Sequence, residues 1–154
     1  IGIADASCSF NTDQRYWNED NQKKTVRFLE SGHIKHITLD KKRNQRYDDN
    51  QMIAAEVDLR TEPRKVSFFI NNQEQVNSVV GIPGSIRFIV YTLWRSASFT
   101  VTKFLKYDSS SVGGVSGSNS LDWGKEWISE DEEQDQGQEE ESEGLEDKYD
   151  DVKQ

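Results

Sequence analysis

The stretch VSFFINNQEQV, residues 66–76, reads as two strands joined by a tight turn. Val66, Phe68 and Ile70 fall on one face by period-2 alternation, while Ser67, Phe69 and Asn71 fall on the other. Asn71-Asn72 supplies the turn, because Asn tolerates the left-handed backbone that a tight hairpin demands. Residues 73–76 are then the return strand. The surrounding residues 53–104 repeat this pattern as short strands punctuated by turns. A wall of hairpins with polar tips holds loops in place for a partner and offers no obvious chemistry.

Working outward, residues 1–7 (IGIADAS) set Ile1 and Ile3 against Ala4 and Ala6 and read as a strand. Residues 8–24 are polar, with Tyr16-Trp17 in their middle, and read as a long surface loop. TVRFL (25–29) and HIKHITL (33–39) are strands about a Ser31-Gly32 turn, and DKKRNQRYDDN (40–50) is a loop or hairpin tip. MIAAEVDL (52–59) is read as strand on its alternation and on β-branched Ile53 and Val57. Pro63, which lacks an amide donor and restrains Glu62, makes residues 60–64 a turn. After Val79-Val80 and the Gly81-Ile82-Pro83-Gly84 turn, IRFIVYTL (86–93) is the most apolar strand and is expected at the centre of a sheet. Residues 94–98 are a loop, and FTVTKFL (99–105) alternates as a further strand. Many short strands at this spacing predict an antiparallel sandwich.

The charge is divided along the chain. Residues 1–120 carry 16 Lys and Arg against 13 Asp and Glu, a net of +3, whereas residues 121–154 carry 3 against 15, a net of −12. The overall −9 and the mean hydropathy of −0.87 therefore reflect the C-terminal part. Residues 108–120 (DSSSVGGVSGSNS) have the composition of a flexible Ser/Gly linker. Residues 130–151 are acidic, poor in large apolar side chains and self-repelling, so they are expected to be disordered. No run approaches the roughly 18 apolar residues of a membrane helix. The single Cys8 cannot form an internal disulfide, and nothing points to an oxidising compartment.

Taken together in this order, IGIAD (1–5), SGHIKH (31–36), DDNQMIAAEVDL (48–59), RKVSFFINNQEQ (64–75), GIPGSIRFIVYTL (81–93) and SASFTVTKF (96–104) resemble a SPRY domain. Phe68, Phe69 and Asn71 match that family's F-F-x-N core, and Asp58 sits where the family Asp ends a strand. Ala54 stands in place of the usual Gly, as does Asn72, and the family's first strands are missing from the chain. The resemblance covers about 100 residues. It implies a bent, concanavalin A-like jelly-roll β-sandwich that acts as a protein-interaction module, not as an enzyme, and binds peptides or folded partners through loops at one end. No binding motif of the family transfers to particular residues.

Candidate contact residues come from loop chemistry instead. Tyr16 and Trp17 set large aromatics in a polar loop, and Trp94-Arg95 pairs two of the commonest interface anchors. Against this, Trp17 could cap the sandwich, and Trp94 could be a core residue. Trp123 and Trp127, beside the acidic run, have the look of a short linear motif that anchors in a groove. The alternative is that both pack onto the sandwich as a final strand or turn. KYDDV (148–152) offers a second such motif, with Tyr149 and Val152. Asp48-Asp49-Asn50 is read as a turn in preference to a calcium site. The Lys41-Lys42-Arg43 and Arg46 cluster is read as a solvated tip in preference to a phosphate or import site. An odd spacing puts His33 and His36 on opposite strand faces, so they share no metal. No apparatus for nucleophilic catalysis is evident.

The expectation is therefore an all-β, antiparallel bent sandwich over residues 1–107, a linker over 108–120 and an acidic disordered tail over 121–154 carrying the Trp motif. Its function is expected to be non-catalytic recognition of a protein or peptide, without cofactor or metal, as a monomer or as part of a larger complex. A cytoplasmic or nuclear setting is expected, with no membrane and no nucleic acid partner. A carbohydrate-binding jelly roll and an acidic-tail binder of basic proteins are the alternatives.

Overall fold

The computed structural model of the chain describes residues 1–10, 19–37, 42–92 and 97–127. Its elements follow in the order β1 (Gly2–Asp5), α1 (Glu19–Lys23), β2 (Thr25–Phe28), β3 (His33–Lys35), β4 (Lys42–Arg43), β5 (Ile53–Asp58), β6 (Lys65–Ile70), β7 (Gln73–Glu74), β8 (Asn77–Val80), β9 (Ile86–Ile89) and β10 (Asn119–Asp122). They make two sheets. The first runs β4-β3-β2-β1-β9, and the second β10-β8-β6-β5, with β7 also paired to β6. All pairings are antiparallel except β10 with β8.

Alternation in β6 decides how the sheets face each other. Val66, Phe68 and Ile70 are buried, and the register sets Val57, Ala55 and Ile53 of β5 beside them on one face. Val79 of β8 stands opposite Val66 and beside Leu121 of β10, which continues the row. From the first sheet Ile3, Val26, Phe28 and Ile34 meet this row, and Ile82 and Trp127 complete the shared core. Phe28 and Phe68 touch across the layers with ring centroids 5.2 Å apart. The molecule is a two-sheet, sandwich-like all-β fold.

Side-chain amides also join the layers. Asn44, just after β4, accepts from the Asn77 backbone N–H (2.8 Å) and donates to its carbonyl (3.2 Å), while the Asn77 amide donates to Arg43 O (2.5 Å). The paired polar groups are satisfied where water is excluded, so the clasp fixes the register of the two sheets. Gly32 makes this possible: it holds φ +87°, and a Cβ there would collide with the Asn44 carbonyl. At the hairpin, Asn71 and Asn72 hold φ of 49° and 66°, the left-handed pair that a two-residue turn requires.

Several elements differ from the sequence reading. The loop over residues 8–24 contains α1, and the loop over 40–50 contains β4. β9 lies at the edge of its sheet, not the centre, and is bonded only to β1 among the described residues. Residues 99–105, despite their alternation, form no ladder. The sandwich also does not end at residue 107. β10 lies beyond it, drawn in by Leu121, and the Asn119 and Trp123 N–H groups donate to Val76 O and Val80 O. Residues 119–127 are thus part of the packed fold rather than of a linker and free tail; residues 128–154 lie outside the described residues.

Candidate interaction surface

Tyr16 and Trp17 fall within residues 11–18, and Trp94 and Arg95 within 93–96; both segments lie outside the described residues, as does the 148–152 motif. Trp123 and Trp127 are described, and they take the alternative reading, a final turn packed on the sandwich. Trp127 is buried in the core, and its Nε1 donates to Asp122 O at 3.0 Å. Both rings lie against His36, at centroid distances of 4.6 and 5.4 Å. His36 Nδ1 is 2.8 Å from Thr25 O, and its Nε2 accepts from Gly124 N–H at 2.8 Å. A carbonyl on one side and an N–H on the other fix the neutral Nδ1–H form. Burial accordingly holds the His36 pKa below its ordinary value, helped by the Arg27 charge and opposed by the Thr25 contact. His33 faces Ser31 and Arg43 instead, so the two histidines have separate partners.

A second constellation lies on the outer face of the β5–β6–β7 sheet. The register sets Glu56 opposite Ser67, and Phe69 opposite Glu74, all on the side away from the core. Residues 108–114 cross this face. Glu56 accepts from Ser110 Oγ (2.6 Å), Ser111 N–H (2.9 Å) and the Ser111 hydroxyl, and Glu74 accepts from the N–H groups of Gly113 and Gly114 (3.1 and 2.9 Å). Burial alone would raise the Glu56 pKa, but the Ser110 and Ser111 bonds outweigh it and hold the carboxyl below its usual range. Beneath this strap is a cavity of about 240 Å³ lined by Glu56, Asp58, Thr61, Lys65, Ser67, Ser110 and Val112. Asp58 is held down chiefly by the Arg60 N–H. Both carboxylates are thus stabilised as anions and engaged with the backbone, an arrangement suited to anchoring a loop and poorly suited to proton transfer near neutrality.

Among the described residues, no group of three or more His, Cys, Asp or Glu could hold a metal ion. Asp48 pairs with Arg46 at 3.6 Å, and Asn50 takes φ 64°, so this trio serves a turn. Cys8 is buried, its Sγ 3.2 Å from Asn21 Oδ1, and burial pushes its thiol pKa up. No helix among the described residues is long and apolar enough to cross a membrane.

The surface that stands out is apolar. Phe88, opposite Ile3 in the ladder, is on the core-facing side of β9, yet it is 42% exposed. Val90 is also exposed, so among the described residues the sandwich is open along this flank. Every residue from 97 to 111 is exposed. Phe99, Val101, Phe104, Leu105 and Tyr107 are 55–78% accessible, and the Phe104 ring meets Phe88 edge-on at 5.7 Å. Sequence alternation predicted a further strand over residues 99–105; the segment instead lies exposed and joins no ladder.

No family model, no curated protein and no solved structure matches this chain.

Proposed function

We propose that this protein is a non-catalytic interaction module, a SPRY-like jelly-roll sandwich that recognises a peptide or protein partner. The observation that carries the reading is the open flank formed by β9 and residues 97–107. Contiguous exposed apolar side chains, aromatics among them, mark surfaces that are covered in the working state. In sequence the flank brackets residues 93–96, which carry Trp94 and Arg95, the anchors expected from sequence; they lie outside the described residues. The chemistry of the outer-face cavity supports the same reading, because its carboxylates act as loop anchors.

The test is a paired screen of the chain against a peptide display library and a glycan array, repeated with Phe99→Asp. The expected result is peptide ligands whose binding falls by about tenfold or more in the variant, the loss of an interface anchor. Glycan binding with no peptide ligand would replace this reading with the carbohydrate-binding one.

A further inference from the structure

We propose that the open flank is completed by a second copy of this chain, with β9 of one copy pairing antiparallel to β9 of the other, so that the first sheets of the two sandwiches run together. This rests on the interaction-module reading and names the occupant of its surface.

The first argument is the edge itself. One side of β9 is bonded to β1, and the other has no strand beside it among the described residues. Exposed edges are normally blunted by charge, proline or a bulge. Here the only charge in β9 is Arg87, and its guanidinium donates to the carbonyls of Ala6 and Cys8, which draws it away from solvent duty at the edge. Ile86, Phe88 and Val90 leave the core-facing side apolar along its length.

The second argument is symmetry. Antiparallel pairing of a strand with its own copy closes on a two-fold axis, the commonest arrangement for a homodimer. An axis through Phe88 sets Phe88 beside its counterpart, Ile86 beside Val90 and Arg87 beside Ile89. No like charges then face each other, and the three core-side pairs are all apolar.

The third argument is area. An aromatic side chain buries about 150–250 Å². Scaled by their exposed fractions, Phe88, Phe99, Phe104 and Tyr107 leave on the order of 450 Å² uncovered on each chain. Val90, Val101 and Leu105 enlarge this, so two copies together reach the roughly 1,200–2,000 Å² of a stable interface. Residues 97–107 would lie over the joint, their rings covering the exposed Phe88 pair. Self-pairing was not among the expectations from sequence, which were a monomer or part of a larger complex with residues 1–107 forming one sandwich.

Sedimentation velocity of the full chain across the micromolar range tests this, with Val90→Lys and Phe104→Asp as variants and the thermal unfolding midpoint as the control for folding. The expected result is a wild-type dimer, with either substitution weakening it by about tenfold or more and leaving the midpoint of the monomer unchanged. If Val90→Lys fails to fold, Phe104→Asp, at a position 78% exposed, decides alone. A wild-type monomer throughout the range, or a dimer indifferent to the folded variants, overturns the proposal. If such a monomer still binds peptide ligands that Phe99→Asp loses, the interaction reading stands and only self-pairing falls; loss of both removes the broader reading as well.

Discussion

At the residue scale, His36 is the most informative side chain, because its two nitrogens are committed in opposite senses. Nδ1 must donate to Thr25 O, and Nε2 must accept from Gly124 N–H. Protonating Nε2 sets two N–H groups against each other beside two indole rings. The folded pKa is depressed by burial, so the unfolded chain takes up the proton more readily. The contribution of His36 to stability is therefore complete above the ordinary His value of about 6.5, and it declines as pH falls from there toward the lowered folded value. Denaturant unfolding followed by Trp fluorescence should show this decline in the wild type and not in His36→Gln. His36→Ala should cost about 2–4 kcal/mol at neutral pH, through lost packing and two backbone groups left unpaired. None of this was legible in the sequence. The spacing of His33 and His36 said only that they diverge, and the partner of His36 comes from 88 residues further along.

At the scale of elements, the strap over residues 108–114 is the case where composition misled. Ser and Gly signal flexibility when nothing binds the backbone, but here Glu56 and Glu74 gather five donors from this segment. Glu56 has a lowered folded pKa, so its share of the anchoring is present above the usual carboxylate range of about 4.3 and is lost as pH falls through the lowered value. Glu56→Gln removes the charge from these bonds. Hydrogen exchange at neutral pH should become faster at the Ser111 amide in this variant and stay unchanged in β6. Equal exchange at Ser111 in both proteins would mean that the strap is held by other contacts. The β6 hairpin was legible for the opposite reason: its strand pairing is local, its alternation is strict, and Asn71-Asn72 supplies the backbone geometry by itself. β10 was not. Its sequence NSLD has a single apolar residue, and its pairing with β8 depends on Leu121 reaching Val79 across a long connection. β9 carried a true signal with the wrong consequence. A continuous apolar run announces cover on both sides, and the chain places β9 at an edge with no further strand beside it among the described residues.

At the scale of the whole molecule, the two ends of the sandwich are finished differently. At one edge of the second sheet, β10, Trp123 and Trp127 close over the core, so the fold extends well past the residue 107 boundary expected from sequence. Among the described residues the first sheet stops at β9 with Phe88 and Val90 partly exposed, and residues 97–107 pass by without joining it. The two edges thus differ: the closed edge holds the layers together, and the flank at β9 is the surface to which the proposed recognition is assigned. The measurement that tests this most directly is residue-level amide hydrogen exchange in the Val90→Lys chain, which keeps the flank unpaired. The account predicts protection at Leu121 and Trp123 approaching that of Val66–Ile70, alongside rapid exchange over residues 99–107. Exchange at Leu121 and Trp123 as rapid as at 99–107, or strong protection over 99–107 in this variant, would contradict it.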